Sequence, residues 1–590
     1  MRAKTLLAFM LISLWLFVTP FITHAEDKYW VGGSGSWDDP NNWSVTEGGP
    51  GGAGPPAPGS LPASLDGENA YLIQSDANNN VVSYENPQES NSIGAMVIDA
   101  TGTGTMTLSL SQGTLRTQGI AIGYNGTGIF NQTGGSNWTV SPQSWGETSF
   151  ILGSNATGSG VYDLSEGELV TASPVIGGGG IGTFNQLGGT FEAYSGFQLG
   201  DKGTYNLSDG LLETTKPFVW EPSHEVLSGG SIFNQTGGTH WLQKGTQNHQ
   251  FNGTYNLSGG MLSAEGGLYV AGTLNQSGGT VEAPLLNLPD TGGGGLYITG
   301  TYNLSGGLLT QTTPLYFAIL AGFRNAGTFN YSGGSITISD PRPDPDPSFV
   351  GFNNSGTFNL SGSGTRTVEG NILNTGTVKT THTTAVYNGT FTNNGAYISD
   401  PAVNYFEDLT IGEKGYLVGG AYDHFYISGD FENHSLMDID WATEAAHLAF
   451  IHDINILTDK GDMLHDFYLT GSDYGASLDG YANNFAWGTL DVTDNYLTFY
   501  DGNSEEGAAL YLRELWGLGM SDELITNLFG FDGLNVYYMA QLPGNSYLGG
   551  LTYELSGGGY LRPIVPEPST MLLVGTSLIA LVGFRRRFKG

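Results

Sequence analysis

Ten times between residues 130 and 360 the chain runs through one short phrase: an aromatic or leucine, then Asn or Asp, then Gln, Leu or Tyr, with serine, threonine or glycine close behind. Phe184-Asn185-Gln186, Tyr205-Asn206-Leu207, Phe233-Asn234-Gln235 and Tyr255-Asn256-Leu257 are clear copies. Its polar anchors are Asn131, Asp163, Asn185, Asn206, Asn234, Asn256, Asn275, Asn303, Asn330 and Asn359, spaced 19 to 32 residues apart. Such a period is one solenoid coil, a unit too small to bury its apolar side chains or pair its own backbone. Stacking supplies both, because each coil's strands template the next in parallel pairing at about 4.8 Å. Phe-Asn-Gln and Tyr-Asn-Leu copies alternate through most of the series, as a duplicated two-coil unit would.

Strand alternation puts Tyr205 and Leu207 on one face and Asn206 and Ser208 on the other. With the aromatic and leucine inward, Gln186 occupies the leucine's position and requires a buried partner. Apolar-Gly phrases such as Ile120-Ala121-Ile122-Gly123 and Phe197-Gln198-Leu199-Gly200 lie between copies, giving each coil at least two short strands and a glycine corner. The expected fold is all-β, a long parallel β-helix (solenoid) with N- and C-terminal caps. Over about residues 100 to 370 the repeat resembles the β-helical repeats of autotransporter passenger domains, which implies an architecture and no ligand.

The termini carry export signals. Arg2 and Lys4 precede an apolar run from Leu6 to Val18, and the small Ala25 stands before Glu26: the order of a secretory signal peptide cleaved between Ala25 and Glu26. At the far end Pro566-Glu567-Pro568 precedes an apolar stretch, Met571 to Phe584, and then Arg585-Arg586-Arg587. This tripartite tail resembles the PEP-CTERM sorting signal, a tail also catalogued as an ice-binding protein C-terminal domain. The resemblance implies recognition by a membrane-embedded, exosortase-type enzyme in Gram-negative bacteria that make extracellular polysaccharide. The apolar stretch is shorter than the roughly 20 residues of a comfortable span, so contact with the inner membrane is expected to be transient.

Five segments follow: a signal peptide (1–25), an N-terminal cap with a Gly/Pro loop (26–100), the repeat β-helix (101–399), acidic C-terminal coils or a cap (400–563) and the sorting tail (564–590). Cysteine is absent, so burial and hydrogen bonds must hold an exported body together. Six of the 19 basic residues lie in the two termini, leaving 13 against 55 acidic ones. Such a body repels nucleic acid and anionic membrane surfaces. Trp30, Trp37 and Trp43 form a hydrophobic cap on the first coil or, alternatively, a sugar-stacking platform. The phrase that holds them resembles the opening of many secreted solenoid proteins.

Chemistry is sparse. Asp340, Asp344 and Asp346 lie in a Pro/Asp loop without the order of an EF-hand. His424, His434, His447, His452 and His465, with Asp453 and Asp466 beside the last two, lack metalloprotease spacing and read as scattered structural or surface groups. Glu166, Glu168, Glu192 and Glu213 are scattered acids, whereas a polysaccharide lyase or hydrolase gathers carboxylates on one face. Thr-x-Thr pairs occur at Thr103/Thr105, Thr299/Thr301, Thr310/Thr312 and Thr365/Thr367 without a fixed place in the repeat, as an ice-binding face would require. Ser521 to Leu528 is expected as a short capped helix. No cofactor, metal or catalytic residue is assigned. The expected function is an exported, non-enzymatic surface or matrix scaffold with exosortase and extracellular polysaccharide as partners; the lyase or hydrolase and the ice-binding protein are the alternatives.

Overall fold

The computed structural model describes residues 26–59, 67–85, 92–139, 149–194, 196–215, 225–243, 249–265, 267–284, 295–312, 322–339, 350–452, 464–502, 507–530 and 533–564. Almost all regular structure is strand; helical geometry among these residues is confined to three 3-10 turns, Pro40–Asn42, Leu478–Tyr481 and Pro543–Leu548. The fold is a parallel β-helix, and the chain divides into two compact units.

The first unit comprises residues up to Asn234 with Gly238–His240. A typical coil has three strands, Val175–Ile176, Ile181–Gln186 and Thr190–Tyr194, and the next repeats them as Phe197–Leu199, Gly203–Leu207 and Leu211–Thr215. All three pair in parallel and in register: Ile176 with Leu199, Phe184 with Tyr205, and Phe191 with Leu212. Each of these side chains is fully buried, so one inward row per face builds a continuous core. Gly177 shows why glycine sits at the corner: φ is 77° and an added Cβ would lie 2.3 Å from the Gly203 nitrogen of the next coil.

Trp30, Trp37 and Trp43 close the start of this unit from within. They are 4%, 1% and 0% exposed and pack edge to face, Trp37 on Trp43 at 4.7 Å and Trp30 on Trp43 at 5.2 Å. Trp43 Nε1 donates to Trp37 O at 2.7 Å. These rings are core; none presents a free face as a sugar platform would.

The second unit comprises Gln235–Gly237 and the chain from Trp241 onward. Its coils pair as regularly, with Thr301, Tyr302 and Asn303 beside Thr328, Phe329 and Asn330, which in turn stand beside Thr357, Phe358 and Asn359. The pairing persists where the repeat phrase is lost: Phe425 stands beside Leu448, Tyr468 beside Tyr500 and Leu512 beside Tyr538. The described residues between 403 and 564 therefore continue in parallel coils, and antiparallel hairpins join Tyr553–Ser556 to Tyr560–Ile564 and Met520–Ser521 to Leu524–Gly530. The second hairpin occupies Ser521 to Leu528, where the sequence predicts a helix. Asp522 adopts φ 54°, so the polar Ser-Asp-Glu phrase makes the turn rather than a helix cap.

In both units the long connections fall at one corner, after the third strand of a coil. The chain leaves at Thr139, Thr215, Glu282, Thr312 and Ser339 and re-enters at Phe150, Glu225, Leu296, Phe323 and Val350. One variable corner explains how anchors 19 to 32 residues apart remain in register.

Candidate functional site

The repeated asparagines form an outward file in each unit. In the first, Asn234 Nδ2 donates to Asn206 Oδ1 at 2.9 Å, Asn206 to Asn185 at 2.8 Å and Asn185 to Asp163 at 2.7 Å. In the second, Asn275 donates to Asn256, Asn303 to Asn275, Asn330 to Asn303 and Asn359 to Asn330, all at 2.7–2.8 Å. The anchors from Asp163 to Asn234, and those from Asn256 to Asn359, thus pair with their counterparts one coil away. At the start of the first file Asn131 lacks the incoming bond: its neighbour is Asp163, an acceptor when ionised, and the buried Asn131 Oδ1 has no donor.

Inside, the alternation of the repeat is a hydrogen-bond requirement. Gln132, Gln186, Gln235 and Gln276 are fully buried. Each amide accepts from the tyrosine of the following coil: Tyr162 and Tyr205 at 2.5 Å, Tyr255 at 2.6 Å, and Tyr302 in the same arrangement. Each Nε2 also donates to a carbonyl of the following coil, Glu168, Leu211, Met261 or Leu308, at 2.9–3.0 Å. Where Tyr331 replaces glutamine, its hydroxyl turns to Gly334 O and the next coil carries Phe358. No glutamine there, no tyrosine needed.

A second ladder is absent from the sequence reading. Asn325, Asn354, Asn374 and Asn393 are fully buried, and each of the first three donates to the next at 2.7 Å. They head the phrase Asn-x-Gly, followed by Thr or Ala, spaced 29, 20 and 19 residues apart. That spacing was the available signal. Asn374 Nδ2 also reaches Ala396 O at 3.1 Å, so this ladder ties the side-chain stack to the backbone stack.

The histidines do not form one centre. His465 is buried between Gly429 O at 2.8 Å and Asn495 Oδ1 at 3.1 Å. His434 lies 3.8 Å from Glu432, and His452 is exposed against Asp494 O. Asp453 lies outside the described residues. Stacking does join two histidines that sequence spacing separates: His424 stands beside His447 with ring centroids 5.1 Å apart. Burial and the neighbouring His424 lower the His447 pKa, while Asp491 opposes them. Asp466 is shifted upward by burial and by Asp430 and Glu432. Among the described residues no group of three His, Asp or Glu is placed to hold a metal ion.

Two acids are closer than their sequence positions suggest, since Glu192 and Glu213 stand opposite each other on adjacent coils. Glu168 lies beside Thr190, and Glu166 is exposed at a corner. Threonine ranks are short: Thr310 stands beside Thr337, and Thr365 and Thr367 beside Thr384 and Val386. The file that persists is single, Thr254, Thr273, Thr301, Thr328 and Thr357, each one residue before the inward position.

Glu26, next to the expected signal cleavage, is exposed. Ala25, the Asp340–Asp346 loop, Pro566–Pro568 and Arg585–Arg587 lie outside the described residues. No described helix is long and apolar enough to cross a membrane.

The coils and ladders define an all-β solenoid whose repeated outward chemistry is amide and hydroxyl. Residues 565–587 match the family model described as the PEP-CTERM protein-sorting motif, so this solenoid carries an exosortase-type sorting tail characteristic of secreted and cell-surface proteins. No curated protein and no solved structure matches the chain.

Proposed function

We propose that this chain is a non-enzymatic scaffold or adhesin-like protein of the cell surface or extracellular matrix of a Gram-negative bacterium. It is exported by its signal peptide, held briefly in the inner membrane by residues 571–584 and released when an exosortase-type enzyme processes the tail. The observation that carries the reading is the sorting motif at residues 565–587 behind a self-templating solenoid. Support comes from the body itself: its outward files, amides apart from Asp163, hydrogen-bond coil to coil. Its 55 acidic residues against 19 basic ones suit a soluble surface rather than nucleic-acid binding.

Pro566 and Pro568 keep the motif extended, a form that suits a processing cleft. The test is intact-mass analysis of surface protein from the native host. Mature protein lacking the residues after about Ser569 is expected. A Pro566→Ala/Pro568→Ala variant is expected to remain full length in the membrane fraction. Surface protein still ending in Arg585 to Gly590 would make the tail a plain anchor.

A further inference from the structure

In the first unit the outward amide file forms the floor of a furrow of about 500 Å³. Asn131, Asp163, Asn185 and Asn206 lie along it, with Ser165, Leu187 and Ser208 beside them. We infer that this furrow binds a neutral, linear glycan, one sugar residue per coil. The proposal rests on the matrix-scaffold reading for its biological setting and on the furrow alone for its chemistry.

Three observations select the ligand. First, Asn185 and Asn206 each spend one N–H and one lone pair on the ladder, leaving a second N–H and a second lone pair for an outside group. These are repeated at the coil rise of about 4.8 Å, close to the advance of one residue in an extended β-1,4-linked chain. Second, Asn131 Oδ1 is buried without a donor because Asp163 cannot provide one, and a sugar hydroxyl supplies it once this amide turns its oxygen into the furrow. Third, Leu187 is 56% exposed at the rim, an apolar surface suited to the C–H face of a pyranose. An extended peptide fits less well. Strand addition needs free backbone groups at a sheet edge, and the strands beneath the furrow are paired on both sides. Polyanions are disfavoured by Asp163 and by the net charge of −36.

The experiment is calorimetric titration of the purified full-length chain with cellohexaose and, separately, with a mannuronate hexamer. Saturable cellohexaose binding is expected, with the anionic hexamer at least about tenfold weaker at low salt. Leu187→Arg is expected to weaken cellohexaose binding by about tenfold or more, whereas Ser277→Arg, at the same repeat position in the second unit, leaves it unchanged. Asp163→Asn gives Asn131 its donor from within the ladder and is expected to weaken binding while leaving the fold intact. No saturable heat at millimolar cellohexaose, equal losses from both arginine variants, or tighter binding of mannuronate would each overturn the proposal. Sorting can succeed while this titration fails, and the reverse, so the two readings fail separately.

Discussion

The Tyr205 hydroxyl donates to Gln186 Oε1 at 2.5 Å, with both side chains fully buried one coil apart. The pair makes the solenoid's alternation a matter of polar satisfaction: a glutamine in the core is tolerable only when the next coil brings a hydroxyl. Tyr205→Phe should therefore cost about 1–3 kcal/mol, because it strands the Gln186 carbonyl. Gln186→Leu/Tyr205→Phe should recover most of that loss, since it converts both coils to the apolar pattern. Urea midpoints of the two variants check this. A double variant no better than the single would show that packing, not the hydrogen bond, sets the alternation.

The same logic separates what could be read in the sequence from what could not. The ten anchors were legible because an inward aromatic beside an outward Asn recurs whatever the length of the variable corner. The need for a partner at Gln186 was legible too, from strand alternation alone. Which partner was not: Tyr205 is 19 residues away, and only the register brings it over the amide. The inner ladder from Asn325 to Asn393 escaped because its marker, Asn-x-Gly, resembles an ordinary turn signal. The stretch beyond residue 403 read less sharply, as coils or a cap. Its inward residues, such as Phe425, Leu448 and Trp487, vary in type while keeping their place.

The two ladders should respond differently to truncation. Asn374 is fully buried and bonded on both sides, so Asn374→Ala leaves partners unsatisfied in a dry core and should cost about 2–3 kcal/mol. Asn303 is half-buried, and water can replace part of what its amide loses; Asn303→Ala should cost about 1 kcal/mol or less. Chemical denaturation of both variants under one condition gives the comparison. Equal losses would mean that the outer file is as dry as the inner one.

His447 gives the fold a pH dependence with a definite sign. Its folded pKa lies below the ordinary imidazole value, through burial first and His424 second, with Asp491 pulling upward. Its stabilising contribution is complete above the unfolded value of about 6.5 and is lost as pH falls through the folded value. His424, Tyr426, Asp491 and Trp516 surround the ring. Between pH 7.5 and 5, the wild-type denaturation midpoint should fall by more than that of His447→Gln. Parallel falls in the two proteins would remove His447 as the source.

Glu192 and Glu213 offer the most direct test of the non-enzymatic reading. Parallel register places them opposite each other on the outward face of adjacent coils. A glycoside hydrolase holds one such acid protonated as general acid and uses the other as base or nucleophile. Tyr194 is the nearby phenol, its pKa pushed up to about 12 by burial and then by Glu192, so it stays protonated at neutral pH and cannot act as a base. Like charges facing across adjacent coils also repel, so Glu192→Gln should leave stability unchanged or slightly improved. Incubation of the full chain with neutral and acidic polysaccharides should then release no reducing or unsaturated ends above a protein-free control. Release by the wild type that disappears in both Glu192→Gln and Glu213→Gln would establish the pair as catalytic and replace the scaffold with a hydrolase or lyase.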